Sequence, residues 1–231
     1  MTQNPTIPEK RPRLVTVDIM QGVAMLLVVI GHHLLDFMPV GYGQFHHWLY
    51  IFHMPYFIFI SGFLIAYSYK GEQYVKYIYR RFRKFFIPYV LIGVIVTLLA
   101  SLKYGIASIG NNLLNLLISP KQSEATFLWY IYLLFFLYAL YPAIQFIQKK
   151  NTVLCNAVLV IIGIILFMFP ARTQLLCLDY FTEYFIFYAL GIVASSFFKQ
   201  IMSHPQANIA ASSVSLACFI IISIFTFRGG G

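Results

Sequence analysis

Long apolar runs recur along this 231-residue sequence and restrict what it can fold into. A helix needs about 20 apolar residues to cross the hydrocarbon core of a bilayer. Sixty per cent of the residues are hydrophobic and 10% are charged, whereas a soluble domain carries about 25% charged residues. We therefore predict an all-α fold, a polytopic transmembrane bundle of about seven spans. These are 16–38, 46–69, 86–104, 127–147, 152–170, 180–198 and 208–227, with a short helix over 106–118 in the outer membrane interface.

The basic residues are distributed unevenly between the two sides of the predicted bundle. With the N-terminus inside, twelve of the 16 lysines and arginines fall in inner segments and four in outer segments. This is the positive-inside pattern, which predicts a cytoplasmic N-terminus and a multi-pass protein of the cytoplasmic membrane. The same pattern explains the net charge of +9 without nucleic acid as a partner. The lipid bilayer is the predicted partner, and the sequence carries no signal for an oligomeric state.

Polar residues recur at helical spacing within the first predicted span. Asp18 and Asp36 are 18 residues apart, or five turns, and Gln21 and His32 lie within about 60° of their azimuth. Ionisable groups inside a bilayer cost about 2.5–3.5 kcal/mol each, so this stripe is expected to face protein or a water-filled cavity. Two interpretations stay open: polar contacts between helices, or a reaction or transport site.

A second histidine, His53, lies in the next predicted span. His32 and His53 are both expected in the outer halves of adjacent antiparallel helices, where they are placed to share a cavity. Histidine can accept a proton from a hydroxyl near neutral pH because its ordinary pKa is about 6.5. Asp36, one turn beyond His32, is placed to orient that imidazole. The predicted catalytic residues are His32, Asp36 and His53, and no metal site is predicted.

Further candidate residues lie along the predicted second and fourth spans. Ser61 stands beside Gly62, and such a pair of small residues permits two helices to approach closely, which is the simpler explanation for it. Trp129 stands near the start of the fourth span. The candidate substrate-binding residues are Asp18, Gln21, Ser61 and Trp129.

A basic, aromatic segment over residues 70–85 precedes the third predicted span and is expected to form an inner loop. In one interpretation its cations only enforce topology or bind anionic lipid headgroups. In the other they hold a polyphosphate whose base stacks on the aromatic residues between them. The candidate cofactor-binding residues are Arg80, Arg81, Arg83 and Lys84.

Three segments of the first ninety residues resemble a known family. They read D-x-x-x-G-x-A-x-L-L-V-V-x-G-H, F-H-M-P-x-F-x-F-x-S-G-F-L and R-R-F-x-K-x-x-I-P-Y. They are similar to the opening of the integral-membrane acyltransferase family 3, which includes fucose 4-O-acetylase-like proteins and O-antigen acetyltransferases. Two later segments, LWYIYLLFFLYALYP and YFIFYALG, resemble the family more loosely. The resemblance implies transfer of an acyl group, usually acetyl from acetyl-CoA, to a hydroxyl of a cell-envelope carbohydrate.

The resemblance also implies roles for individual residues. His32 matches the first-span histidine regarded as essential, and we assign it as the general base that takes the acceptor's proton. His53 matches the histidine of the FHMP motif. Arg81 and Lys84 match basic positions expected near the phosphates of coenzyme A. The expected partners are therefore acyl-CoA and a carbohydrate acceptor.

Two features depart from the family pattern. A lysine or arginine usually stands eleven residues before the first-span histidine, where this chain has Gln21, which cannot supply charge to an oxyanion. The family typically has about ten spans, so residues 1–231 are expected to form a single acyltransferase-like domain truncated at its C-terminus. A catalytically inactive remnant is one alternative function. A sugar or glycan transporter is another, although no inverted repeat supports it.

Overall fold

The computed structural model describes residues 15–32, 42–105 and 109–202, and within these ranges the regular structure is helical. The predicted all-α transmembrane class is confirmed, since long apolar helices make up the described chain. Short 3₁₀ turns lie before α6 and α8. The α-helices in chain order are α1 (Val15–His32), α2 (Tyr42–Ser68), α3 (Tyr74–Arg81), α4 (Ile87–Tyr104), α5 (Ile109–Ile118), α6 (Trp129–Gln148), α7 (Thr152–Met168) and α8 (Leu178–Met202).

Six of the seven predicted spans correspond to α1, α2, α4, α6, α7 and α8, and the span predicted over 208–227 lies outside the described residues. Among the described residues, four segments are long and apolar enough to cross a membrane by length and composition. The apolar part of α1 and the whole of α7 are shorter apolar helices. The four long segments are His47–Ser68, Tyr74–Lys103, Thr126–Gln148 and Leu175–Phe198.

The segment predicted as an inner loop over 70–85 is helical for most of its length. α3 begins at Tyr74, a π-helical turn follows over Phe82–Phe86, and α4 continues directly from it. The prediction of a loop is therefore wrong from Tyr74 onward. Pro88 has no N–H to donate to the preceding turn, and we attribute the π turn to this missing bond, which widens the helix here instead of ending it.

The centre of the bundle lies where α2, α6 and α8 meet around fully buried side chains such as Leu137. α2 and α8 touch backbone to backbone. A Cβ atom added at Gly62 would collide with the carbonyl oxygen of Tyr188, and one added at Gly191 would collide with that of Phe59. The close helix approach predicted from the Ser61-Gly62 pair is confirmed, and it requires glycine on both helices.

A proline within α6, Pro142, determines how two other helices attach to it. Because proline has no N–H, the carbonyl of Tyr138 four residues earlier loses its helical donor. The Tyr77 hydroxyl of α3 donates to that carbonyl at 3.0 Å. The Tyr188 hydroxyl of α8 donates to the neighbouring Leu137 carbonyl at 2.8 Å. The Tyr77 bond thus compensates for the proline, and the two hydroxyl bonds together fix α3 and α8 to one turn of α6.

α1 packs along α2, and much of its remaining surface is exposed. Met25 and Val29 are more than half exposed, and Gln21 is exposed as well. The expectation that the polar stripe faces protein or a cavity is wrong for Gln21, because within the described residues α2 covers one side of α1. The side chains of Asp18 and His32 lie outside the described residues.

α5 and the turns that follow it cover the starts of α6 and α8; we call residues 109–128 the α5 cap. The predicted short helix is present as α5, which folds back along α4. Its place in the outer membrane interface stays a prediction. Leu116 of α5 occupies the space left by the absent side chain of Gly93. The hydroxyls of Tyr89 and Tyr132 donate to the carbonyls of Leu116 and Leu117 at 2.5 and 2.8 Å. These bonds satisfy carbonyls that the end of a helix leaves open.

Candidate functional site

His53 is buried in α2, with 1% of its surface exposed. Its Nδ1 atom lies 2.7 Å from the carbonyl oxygen of Leu49, one turn earlier on the same helix. A carbonyl can only accept, so Nδ1 carries a proton, and the neutral form of the imidazole is the one with its lone pair on Nε2. His53 is therefore held in one tautomer and one orientation, as a general base or a base-orienting residue requires.

A cluster of hydroxyl groups lies further along α2 toward the inner side. Ser61 is buried, and its Oγ lies 3.1 Å from the hydroxyl oxygen of Tyr130 on α6. Tyr138 lies eight residues, about two turns, further along α6. Eight residues, about 12 Å of helix and about 80° of rotation, separate Ser61 from His53, and both side chains are buried. The cluster therefore places neutral hydrogen-bonding groups along the interior between His53 and the inner side.

The guanidinium group of Arg81 lies inside the bundle between two tyrosine rings. Its central carbon is 5.0 Å from the centroid of the Tyr77 ring and 4.8 Å from that of Tyr138. Its Nε atom is buried and has no hydrogen-bond partner within the described residues. The rings stabilise the cation by about 0.5–2 kcal/mol, but they do not neutralise it. An anion at this position would complete the hydrogen bonding of the guanidinium.

The other three cations predicted with Arg81 face outward. Arg80, Arg83 and Lys84 are exposed. Arg80 forms an ion pair with Glu72, whereas Arg83 and Lys84 lie over the rings of aromatic neighbours. The structure therefore separates the predicted basic cluster into one inward guanidinium and three surface cations. Surface cations of this kind suit lipid headgroups or the outer phosphates of a ligand.

Trp129 belongs to an aromatic group at the starts of α6 and α8. Its ring centroid lies 4.2 Å from that of Tyr180 and 5.7 Å from that of Tyr184, which is stacked on it. Beside these rings Lys121 of the α5 cap donates a hydrogen bond to Asp179 at 2.6 Å. Aromatic faces next to carboxylate and amide groups are a common surface for polar, ring-shaped ligands.

Lys121 is held by both charge and ring contacts. Its ammonium nitrogen lies 3.6 Å from the centroid of the Tyr180 ring and forms an ion pair with Asp179. Burial by itself lowers the pKa of Lys121, but the hydrogen bond to Asp179 and the contact with Tyr180 raise that pKa above its ordinary value. Lys121 is therefore a cation at neutral pH and ties the α5 cap to the start of α8.

Two cavities open at the opposite, inner end of the bundle, on either side of Tyr69 and Gln145, which line both. The first has a volume of about 280 Å³, and the second about 450 Å³. We call the pair the inner cleft. The residues around the first come from the ends of α2, α6 and α8 and from the start of α7: Ala66, Tyr67, Tyr69, Tyr141, Gln145, Gln148, Thr152, Ser195 and Ser196.

Several predicted site residues converge in the described bundle, and others do not. His53, Ser61 and Arg81 lie along its interior, whereas Gln21 is exposed on α1. The side chains of Asp18 and His32, and the whole of Asp36, lie outside the described residues, so their predicted roles stay predictions. Sequence reasoning missed the tyrosines that line the interior and the Lys121–Asp179 pair. The tyrosine pair at positions 130 and 138, eight residues apart on α6, was the available signal.

Comparison with known proteins identifies the family of this chain. A family model for acyltransferase family 3, described as an acyltransferase domain, matches residues 14–230 of the chain. The match covers α1 and every helix that carries His53, Ser61 or Arg81. No curated protein and no solved structure matches the chain.

Proposed function

The chain belongs to acyltransferase family 3, and from this premise we propose that it transfers an acyl group, acetyl in the simplest case, from acyl-CoA to a hydroxyl of a cell-envelope carbohydrate. The donor would enter from the cytoplasmic side of the cytoplasmic membrane. The acceptor would approach from the other side. Membership of the family supports the class of reaction, and the residues of this chain support the choice of donor and of base.

The observation that carries the proposal is the inward guanidinium of Arg81. Arg81 is half-buried, and its Nε N–H is buried without an acceptor among the described residues, which costs about 1–3 kcal/mol or more for a charged group. The two tyrosine rings compensate part of that cost, and Nε keeps an unused N–H. A donor phosphate would supply both the charge and the missing acceptor. Arg80, Arg83 and Lys84 would attract the same polyanion from the surface.

The interior between Arg81 and His53 suits the uncharged arm of such a donor. The hydroxyls of Ser61 and Tyr130 offer hydrogen bonds without charge. An extended amide chain can exchange hydrogen bonds with such groups while its apolar parts pack against the aromatic rings beside them. The thioester at its end would then lie toward the histidines.

The proposed reaction is a direct transfer without an acyl-enzyme intermediate. His32 takes the proton of the acceptor hydroxyl as that oxygen attacks the thioester carbonyl. The carbon–oxygen bond forms, the carbon–sulfur bond breaks, and the thiolate of coenzyme A leaves and takes up a proton. His53, fixed through Leu49 with its lone pair on Nε2, orients the base or the acceptor. Asp36 would hold the imidazole of His32.

On the acceptor side, the aromatic group around Trp129 supports a carbohydrate. Flat rings pack against the apolar faces of sugars, and carboxylates bind their hydroxyls. The exposed carboxylate of Glu183 lies on the same helix as Tyr180 and Tyr184. Asp18 and Gln21 are further candidates for the substrate, from their position in the family pattern.

An acylation assay in a strain that lacks the activity tests this proposal. Cells carrying the wild-type chain are expected to acylate their envelope glycans. Removal of a general base lowers a rate by about 10²–10⁴-fold, so His32→Ala should abolish measurable transfer. Arg81→Leu should raise the donor KM by about 10-fold or more, because a charge-assisted hydrogen bond contributes about 1.5–3 kcal/mol.

Two matched variants serve as controls for the assay. His47→Ala removes an exposed histidine near the start of α2, and Arg83→Leu removes a surface cation four positions before α4. Both are expected to stay within about twofold to threefold of the wild type. Acylation that is unchanged in His32→Ala would sink the mechanism. A donor KM that responds equally to Arg81→Leu and Arg83→Leu would remove the special role of the inward guanidinium.

A further inference from the structure

The first cavity of the inner cleft has a lining that no part of the proposed reaction uses. Its volume of about 280 Å³ suits one portion of a ligand, since whole-ligand pockets range over about 300–1,000 Å³. Its walls combine three tyrosine rings with two glutamine amides and three small hydroxyl residues, and none of the described residues that line it is charged. Such a lining fits a flat, neutral group that has several hydrogen-bonding atoms.

Gln145 is the polar group most available to a ligand in this cavity. Its carboxamide makes no hydrogen bond to any described residue, although it lines both cavities. Gln148 donates its amide N–H to Asn156 at 2.7 Å, which leaves its carbonyl oxygen as an acceptor. A carboxamide presents a donor and an acceptor side by side and pairs with the complementary edge of adenine.

The first cavity also lies close to the Arg81 guanidinium, which is the proposed phosphate site. The Tyr77 ring centroid is 5.0 Å from the Arg81 guanidinium and 5.1 Å from the ring centroid of Tyr69. Tyr69 in turn contacts Tyr141 edge to face at 5.4 Å, and both rings line the cavity. A single aromatic ring therefore separates the inward guanidinium from the cavity wall.

The second cavity is less suitable for the same group. It is lined by Glu72, which pairs with Arg80, and by Lys149. A neutral nucleobase does not need either charge, whereas the described residues that line the first cavity are all uncharged. The first cavity is also bounded by Ser195 and Ser196 of α8, whose hydroxyls add neutral hydrogen bonds.

From these observations we infer that the first cavity of the inner cleft binds the nucleobase of the acyl donor, with Gln145 reading its hydrogen-bonding edge and the tyrosine rings stacking on its face. Base–aromatic stacking is strong enough to anchor a nucleotide at such a site. The inference rests on the proposed function, because that function supplies the nucleotide.

Binding of three probes to the purified full chain in lipid nanodiscs tests the inference. The probes are coenzyme A, 4′-phosphopantetheine, which lacks the nucleoside, and an etheno-modified coenzyme A whose adenine edge is blocked. Gln145→Leu is expected to weaken coenzyme A binding about fivefold to tenfold and to leave 4′-phosphopantetheine binding within twofold. The wild type should bind the etheno probe more weakly than coenzyme A, and Gln145→Leu should remove that difference.

Gln73→Leu is the matched control, because Gln73 is an exposed amide before α3 whose side chain makes no hydrogen bond to a described residue. It should bind all three probes like the wild type. Equal binding of coenzyme A by Gln145→Leu and the wild type overturns the nucleobase site while leaving the proposed function intact. Equal weakening of coenzyme A and 4′-phosphopantetheine overturns it as well, because the cavity then holds the arm. If the wild type binds neither coenzyme A nor 4′-phosphopantetheine, the proposed function is wrong. The inference, which rests on it, is then wrong as well.

Discussion

The α5 cap and the inner cleft hold their polar groups in different ways. In the cap, Lys121 is bound to Asp179, and the Tyr89 and Tyr132 hydroxyls are bound to carbonyls of α5. At the inner end, the carboxamide of Gln145 faces two cavities and makes no hydrogen bond to the described residues.

This difference indicates which polar groups stabilise the fold and which are available to bind a ligand. A polar group that already has its partner stabilises the fold and offers little to a ligand, whereas one that faces a cavity is available for binding. The cap is therefore expected to contribute to stability, and the inner cleft to ligand affinity. Arg81, whose Nε has no partner among the described residues, belongs with the inner cleft in this respect.

The largest expected effect comes from Gly62→Ala, which acts on the helix pair that lines the inner cleft. The added methyl group would collide with the carbonyl of Tyr188, so α2 and α8 must separate. Overpacking of this kind costs about 1–3 kcal/mol, and we expect the upper end because the contact is backbone rather than a movable side chain. Thermal unfolding in detergent measures the loss, and coenzyme A binding should fall with it.

Gly110→Ala in the α5 cap is the matched control for that variant. Nothing lies within 4 Å of the methyl group it would add. It should be neutral or raise stability by up to about 1 kcal/mol, because alanine favours a helix over glycine. Equal unfolding temperatures for the two variants would contradict the tight α2–α8 contact.

The second prediction compares the stability lost when one ion pair is broken at the α5 cap and another at the inner cleft. Lys121→Met leaves the Asp179 carboxylate, 19% exposed, without its cation, and should cost about 2 kcal/mol of unfolding free energy. Arg80→Met breaks the pair with Glu72, but the Arg80 side chain is 58% exposed, so water screens it. Its loss should stay below about 1 kcal/mol. Similar losses of unfolding free energy in the two variants would mean that the ion pair of the cap stabilises the fold no more than the ion pair at the inner surface.

The smallest effect is expected from Tyr89→Phe, which removes one hydroxyl under the cap. The variant leaves the Leu116 carbonyl without its donor and should cost about 1 kcal/mol. Tyr79→Phe on the exposed face of α3 is its control and should change the unfolding temperature little. Protease cleavage within residues 109–128 gives a local readout, since a loosened cap should be cut faster in Tyr89→Phe than in either the control or the wild type.

Apolar runs and charge spacing predicted the helices well, because both are local properties of the sequence. They did not distinguish Arg81 from its three basic neighbours, because direction depends on helical phase and the π turn over Phe82–Phe86 changes that phase. The position of α5 was also beyond local reasoning. It depends on Gly93 meeting Leu116 and on tyrosines from two other helices.

The contacts of the candidate site likewise include one that local sequence can predict and one that it cannot. The bond from His53 to Leu49 spans four residues of one helix, which is a spacing that sequence alone can reveal. The contact between Ser61 and Tyr130 joins residues 69 positions apart, and only the packing of α2 on α6 brings them together.

The glycine contact between α2 and α8 also has a consequence for biosynthesis. Gly62 and Gly191 are 129 residues apart, and each belongs to the surface that the other helix covers. At synthesis rates of about 5–20 residues per second, α2 would wait roughly 6–26 s in the membrane before α8 is made. During that interval the groove around Gly62 is open to lipid or to an insertion factor. Folding of the bundle is therefore completed late in synthesis, when α8 packs against α2.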